Sequence, residues 1–462
     1  MITMSLAQIA EAVGGTVHDS DGQTALTGPA FIDSRTAARG GLFVAFAGEN
    51  TDGHDYTAGA VEAGAAAVLA TRPTGVPSVV VSDVQKALTQ LARHVARQLT
   101  DTTVIGLTGS AGKTSTKDML AQVLGSHAAT IATEGSLNNE IGLPLTVLRA
   151  DNRTRYLVLE MGASHVGDIA FLTGIARPDI GMVLNVGTAH AGEFGGPEFI
   201  TKAKGEMVEA LPAGATAILN NDDPQVSAMT SRTKADVWTF GIKTAADISA
   251  DEISVDPSGA PSFVLRTPTG QAPVTLSFLG EHQVLNALAA ATTATVAGMT
   301  AHDIATALHQ ARPLAGHRMQ IIERPDGVRL IDDTFNANPA SVQAALRALA
   351  AMTAQRRIVV LGEMAELGET SAHGHAQVGE SAALTNPALL VAVGGAGATA
   401  IAQAATRTNP SLDVQHLADA KSAKELLVSY LRDGDLVLFK ASKVAKFDAL
   451  VEAMKQEAAT PA

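Results

Sequence analysis

Apolar residues along this chain fall into short continuous runs separated by longer Ala-rich stretches of helical spacing, and the runs group into three blocks. In the first block, residues 1–99, strand-like runs at 41–46, 66–69 and 78–81 are punctuated by Pro and Gly. The second opens with a strand at 104–107 and a Gly-rich turn, then continues with strands at 156–159, 180–186 and 215–219. Continuous apolar strands alternating with helices predict a parallel sheet covered on both faces. Residues 249–278 alternate and carry prolines, which predicts an antiparallel excursion, and a helix over about 281–297 follows. Arg312-Pro313 breaks the helical pattern. Beyond it, strands at 328–331, 358–361, 389–393 and 436–439 alternate with helices and predict a second doubly wound sheet. The expected architecture is α/β in three domains. A small mixed α/β amino-terminal domain (1–99) precedes a central P-loop domain with a parallel sheet (100–311) and a Rossmann-like carboxy-terminal domain (312–462).

Composition narrows the function classes. Hydrophobic residues are 46% of 462 but aromatics only 3%, so the cores must rest on Ala, Val, Leu and Ile. A net charge of −13 argues against nucleic acid as a partner, although a local pocket can still be basic. The absence of cysteine excludes disulfides and thiol catalysis. Residues 1–15 lack the basic-then-apolar pattern of a signal peptide, and 287–301 is too short and too weakly apolar to span a bilayer. A buried helix is expected there, with no membrane insertion and a cytoplasmic location.

The strongest chemical signal is Thr108-Gly109-Ser110-Ala111-Gly112-Lys113-Thr114-Ser115, between a strand and a helix. Glycines let backbone N–H groups turn toward phosphate oxygens, the helix adds its positive end, and Lys113 adds a cation. Thr114 can offer its hydroxyl to Mg²⁺. Leu107 stands where a full Walker pattern has its first Gly, and the motif alone leaves kinase, ATPase and ligase open. Glu160, at a strand's carboxyl end before Met161-Gly162-Ala163, is a candidate metal ligand or a plain surface carboxylate. His190, in Asn185-Val186-Gly187-Thr188-Ala189-His190, and Lys204, in Ala203-Lys204-Gly205-Glu206, read singly as a structural loop histidine and a solvated helix lysine.

Together these segments, with Gly280-Glu281-His282, Asn286 and Arg318, resemble the Mur ligase family in order and spacing over nearly the whole chain. In that family the shorter phosphate loop is usual. The resemblance implies an ATP- and Mg²⁺-dependent ligase that activates a carboxylate as an acyl phosphate and couples it to an amine. Asp33-Ser34-Arg35, the run 41–48 and Asp52-Gly53-His54 are similar to the family's UDP-sugar domain. The runs 138–144 and 332–339, and 361–368 followed by His375, resemble members that join D-alanyl-D-alanine to UDP-N-acetylmuramoyl-tripeptide. A member adding a free diamino acid to a UDP-N-acetylmuramoyl-dipeptide is the alternative.

Carried over residue by residue, the resemblance implies that Gly109, Ser110, Ala111, Gly112, Lys113, Thr114 and Ser115 cradle the phosphates. Thr114 and Glu160 would hold one magnesium ion, and His190 and Lys204, the latter as a carbamate, would hold a second. Asn286 would meet adenine, while Arg318 and Asp333, with Asp332 as the alternative, would close over the nucleotide across a hinge near Arg312. Asn138 and Asn139 would touch the muramoyl-peptide. Ser34 and Arg35 would meet the uridine diphosphate, a buried structural arginine being the other reading of Arg35. Asn336 and Asn338 would line the acceptor site, and a monomer is expected. Two departures stand out: Thr334-Phe335 where Ser-Tyr is common, and Lys440-Ala441-Ser442-Lys443 where Lys-Gly-Ser-Arg is usual.

Overall fold

The three blocks build separate sheets in the computed structural model, which describes residues 1–48, 51–187 and 196–456. The first sheet has five strands in the order Thr16–His18, Ser78–Val80, Ala67–Ala70, Leu42–Val44, Ala30–Phe31. All its pairings are parallel except that of Thr16–His18 with Ser78–Val80. The amphipathic helix Val84–Gln98, capped by the Asp83 side chain on Lys86 N–H, turns Leu88, Leu91 and Val95 into an aliphatic core. That core runs on without a break into the second block through Leu143, Leu157 and Leu159. Asp52-Gly53-His54 holds its own fold together. His54 Nδ1 lies 2.6 Å from Asp52, Nε2 accepts the Thr71 N–H at 3.0 Å, and Arg72 donates to Asp52 at 2.9 Å.

The central sheet has nine strands, from one edge Gly270–Thr275, Pro261–Thr267, Ile248–Val255, Asp236–Gly241, Thr216–Asn220, Ile180–Val183, Thr103–Thr108, Tyr156–Glu160 and Thr130–Ala132. Residues 249–278 do form antiparallel strands, yet they extend this sheet rather than leave it, because Phe240 pairs in parallel with Ile248. The linking strand Asp236–Gly241 is half-buried, and its mixed polar pattern hid it from the sequence reading. The strand expected over 180–186 stops at Val183. Beyond it Leu184 N–H still reaches Thr108, but Asn185 and Val186 leave the ladder to bond Ala111 and Asp223. The expected buried helix is Gln283–Val296; Gly298, at φ 89°, separates it from Ala301–Gln310. Its fully buried Ala287, Ala290, Ala291 and Ala294 let it lie close against the phosphate-loop helix Lys113–Gly125.

The third sheet runs Gln320–Glu323, Arg329–Asp333, Asp435–Lys440, Arg356–Gly362, Leu389–Val393, Val414–Leu417, parallel apart from its first strand. Apolar clusters cover both faces, as doubly wound sheets require. His375 is structural: its Nε2 accepts the Met364 N–H at 2.8 Å and its Nδ1 bonds the Ser371 carbonyl at 2.7 Å.

Candidate active site

Thr103–Thr108 is the strand at which the central sheet reverses its order of addition, with Tyr156–Glu160 on one side and Ile180–Val183 on the other. Ligands of open α/β sheets bind in the crevice beyond such strand ends. The chain turns there through Gly109 to Gly112. Gly112 is left-handed at φ 80°, and a Cβ on it would come 2.4 Å from Asn286 Oδ1, so only glycine fits. Asn185 clamps the loop with both ends of its amide, taking the Ala111 N–H at 2.8 Å and donating to the Ala111 carbonyl at 3.0 Å. The Ser110 hydroxyl accepts the Gly187 N–H at 2.9 Å.

Lys113, first residue of the helix, folds back to donate to the Gly109 carbonyl at 2.7 Å. Burial pushes its ammonium pKa down, opposed by the nearby Glu160 charge. Thr114 donates to Glu160 Oε2 at 2.9 Å, and Asn138 donates to Glu160 Oε1 at 2.8 Å. A carboxylate and a hydroxyl sharing one buried point beside a phosphate loop form an oxygen donor set suited to Mg²⁺, which takes few protein ligands and completes its shell with phosphate and water. Among the described residues no three His, Asp or Glu side chains converge as a metal cage.

Residues 110–115, Asn138, Glu160, Asn185 and Asn286 open into one cavity of about 1180 Å³, whose far wall belongs to the third block. Arg318 crosses it, donating to Ser136 Oγ at 3.1 Å while its guanidinium stacks 4.1 Å from the Phe335 ring centroid. Its buried Nε has no hydrogen-bond partner among the described residues. Burial lowers the Arg318 pKa, while the Glu160, Asp333 and Asp118 charges oppose that shift. Asp333 faces the cavity and takes Lys440 Nζ at 2.6 Å, with burial raising its carboxyl pKa against the pull of Lys440. Asp332 points the other way, fully buried and bonded to Thr334 Oγ1 at 2.6 Å and His317 Nδ1 at 2.8 Å. Of the two aspartates only Asp333 is in the cavity wall.

The remaining candidates divide. Asn286 and Asn139 line the cavity, Asn286 donating to Gln283 at 2.8 Å and Asn139 accepting the Gly142 N–H at 2.9 Å. Asn336 and Asn338 line it too, but Asn338 spends its side chain capping the helix Pro339–Ala351. Lys204 is buried at 2% exposure, which overturns the solvated-helix reading. Burial and then the neighbouring Lys113 charge bring its pKa down to about 7, against Asp168 and Glu206. The rest of its motif is architectural. A Cβ on Gly205 would strike the Arg232 guanidinium, and Glu206 accepts N–H groups of Gly167 and Ala170 at the start of Asp168–Thr173. His190 lies outside the described residues. Ser34 and Arg35 are not among the residues lining the cavity, and Arg35 is not the buried structural arginine of the alternative reading. Its side chain is 87% exposed and pairs with Asp33 at 2.7 Å. Sequence reasoning missed His282, Phe335 and Lys440 as cavity residues. Lys440 could have been found, because it ends a predicted strand as Glu160 does.

Family models match three stretches: the Mur ligase family catalytic domain over residues 31–101, the Mur ligase middle domain over 107–294, and the Mur ligase glutamate ligase domain over 317–443. The chain is 44% identical to a UDP-N-acetylmuramoyl-tripeptide--D-alanyl-D-alanine ligase of Mycobacterium bovis, over 98% of each chain. Its structure is similar to a crystal structure of MurF from Acinetobacter baumannii, at TM-score 0.86 and 33% identity over 98% of this chain and 99% of that one. It is also similar to MurF ligase from Thermotoga maritima in complex with ADP, at TM-score 0.78 and 30% identity over 94% and 98%. Sequence, sheet order and site geometry lead to one conclusion: the chain belongs to the Mur ligase family.

Proposed function

We propose that this protein joins D-alanyl-D-alanine to UDP-N-acetylmuramoyl-tripeptide at the expense of ATP, forming the pentapeptide precursor of peptidoglycan. The observation that carries the reading is the single cavity walled on one side by the phosphate loop and on the other by Arg318, Asp333 and Asn336. Full-length relatives named for this reaction support it. The division at residues 1–99, 100–311 and 312–462 follows, with the first part taking the UDP-sugar, the second ATP, and the third the acceptor. A cytoplasmic monomer belongs to the same reading; among the described residues no helix is long and apolar enough to cross a membrane.

A carboxylate is a poor electrophile, so it must first gain a leaving group. A donor carboxylate oxygen attacks the γ-phosphorus of ATP, the bond to the ADP oxygen breaks, and an acyl phosphate results. The neutral amine of the dipeptide then attacks the acyl carbon, phosphate departs, and the nitrogen loses its extra proton. Lys113 and the loop N–H groups bind the phosphates, and Arg318 meets the charge that builds on the transferring group. Asn286 faces the adenine, and Asn138 and Asn139 orient the muramoyl-peptide. Ser34 and Arg35 hold the uridine diphosphate, and Asn336 and Asn338 flank the acceptor. Thr114 and Glu160 would hold Mg²⁺, which supplies charge neutralisation between the two anions. The lowered Lys204 pKa favours the neutral amine that CO₂ needs to form a carbamate, which with His190 would hold a second Mg²⁺.

Purified protein with ATP and Mg²⁺ tests this reading when each UDP-muramoyl-peptide is crossed with D-alanyl-D-alanine and with free amino acids. Pentapeptide from the tripeptide and dipeptide pair is the expected product. Preferential use of a free diamino acid with the UDP-muramoyl-dipeptide would overturn it.

A further inference from the structure

The segment joining the second and third sheets is exposed, and Leu314 on it is 65% exposed, so apolar burial does not hold it in place. Its backbone is held instead by two side chains of the phosphate-loop helix. The Gln122 amide accepts the Arg312 N–H at 3.0 Å and donates to the Arg312 carbonyl at 2.8 Å. Asp118, buried beside Lys117 at 2.5 Å, accepts the N–H groups of Leu314 at 3.2 Å and Ala315 at 3.1 Å. Thr114, Asp118 and Gln122 are spaced four apart, so one helix face carries both the phosphate-site hydroxyl and the two anchors.

Two residues beyond Ala315 the chain is hydrogen-bonded to the third block, ahead of its first strand at Gln320–Glu323. The His317 carbonyl takes the Phe335 N–H at 3.1 Å, its ring bonds Asp332, and the Met319 N–H reaches Asp333 at 3.3 Å. His317 and Met319 are left-handed, at φ 60° and 51°, and lock the backbone on either side of Arg318. Between the two anchorages stands Gly316. It has no backbone hydrogen bond among the described residues, and a Cβ on it would meet only Gln320 Oε1 at 3.7 Å. Arg312, near the expected hinge, is fixed on both of its backbone groups.

We propose that Asp118 and Gln122 are positioning residues that tie residues 312–315 to the phosphate-loop helix, so that Arg318 reaches the phosphates from a fixed point across one free joint, Gly316. Movement of the third sheet would then pivot on the helix that itself senses bound nucleotide. Asp118 contributes twice, since its charge also faces Arg318.

The test uses the full-length protein and rests on the ligase reading only for its kinetic arm. In Gln122→Ala, hydrogen exchange in the peptide covering 312–315 should quicken about tenfold, from the loss of roughly one net hydrogen bond, with exchange elsewhere unchanged. Turnover should fall about tenfold while KM for ATP stays within about twofold, since the loop itself is intact. Insertion of one glycine after Gly316 leaves both anchorages in place and should lower kcat in the same way, which keeps the test open if Gln122→Ala folds poorly. Unchanged exchange in Gln122→Ala, or faster exchange with unchanged kcat, would overturn the proposal, as would full turnover in the insertion variant. A wild-type protein that turns over no donor and acceptor pair would instead defeat the ligase reading, and the exchange result would stand by itself.

Discussion

The central and third sheets both direct charged side chains from the carboxyl ends of parallel strands into one cavity, yet they treat those charges in opposite ways. In the central sheet, among the described residues, Lys113 hydrogen-bonds a carbonyl alone, and Glu160 is held by the neutral donors Thr114 and Asn138. The two charges act on each other across space, and among the described residues neither is closed in a direct ion pair. In the third sheet Asp333 and Lys440, paired residues on adjacent strands, neutralise each other at 2.6 Å with side-chain exposures of only 13% and 3%. The first wall is built to receive charge, whereas the second, Arg318 apart, presents a fixed polar surface. Removing a residue from the first should cost catalysis, whereas removing one from the second should cost the fold as well.

The largest effect is expected from breaking the pair. Lys440→Met strands a buried carboxylate, and urea unfolding should show a loss of about 3–5 kcal/mol, much of it restored in the Lys440→Met/Asp333→Asn double variant. Equal instability in the single and double variants would mean that Lys440 packs rather than neutralises. Lys113→Ala is the counterpart: turnover should drop about a hundred- to a thousandfold while Tm moves by no more than a few degrees. Large destabilisation there would erase the contrast between the walls. Lys204→Ala should lose about a hundredfold in kcat and regain part of it with added formate, whereas Lys202→Ala, on the exposed side of the same helix, should not. Equal loss in both would return Lys204 to a structural role.

His282 sharpens the comparison where the walls meet. Burial, then Lys440 and Arg347, hold its pKa down to about 4 against an ordinary value of 6.5. The unfolded chain therefore binds the extra proton first. Stability should be complete above pH 6.5 and fall toward pH 4, by roughly 2–3 kcal/mol. His282→Gln should flatten that part of the urea-midpoint against pH curve, and an identical slope in wild type and variant would remove His282 from the account. The smallest structural effect is expected at Arg35, outside both walls. Arg35→Ala should leave Tm unmoved while raising the KM for the UDP-donor alone, and a shift in the KM for ATP would show that its influence is not local.

Much of this was legible before any coordinates. Continuous apolar runs bounded by Gly and Pro marked most strands of the two large sheets, because a strand buried on both faces admits little else. The phosphate loop was legible because its glycines answer a local backbone demand, as Gly112 shows. Where local pattern was weak the reading failed: Asp236–Gly241 mixes polar and apolar residues, and the end of Ile180–Val183 is set by where Asn185 finds a partner.

The sequence by itself determined the order of most elements and the phosphate loop, since these depend on residues near one another along the chain. Tertiary structure alone decided the rest. It turned Asp333 toward the cavity and Asp332 away, because adjacent strand residues must face opposite sides. It showed Lys204 to be buried rather than solvated, for its surroundings come from distant segments. It also tied Arg312 to the phosphate-loop helix, because the Gln122 amide that grips its backbone lies 190 residues earlier in the chain.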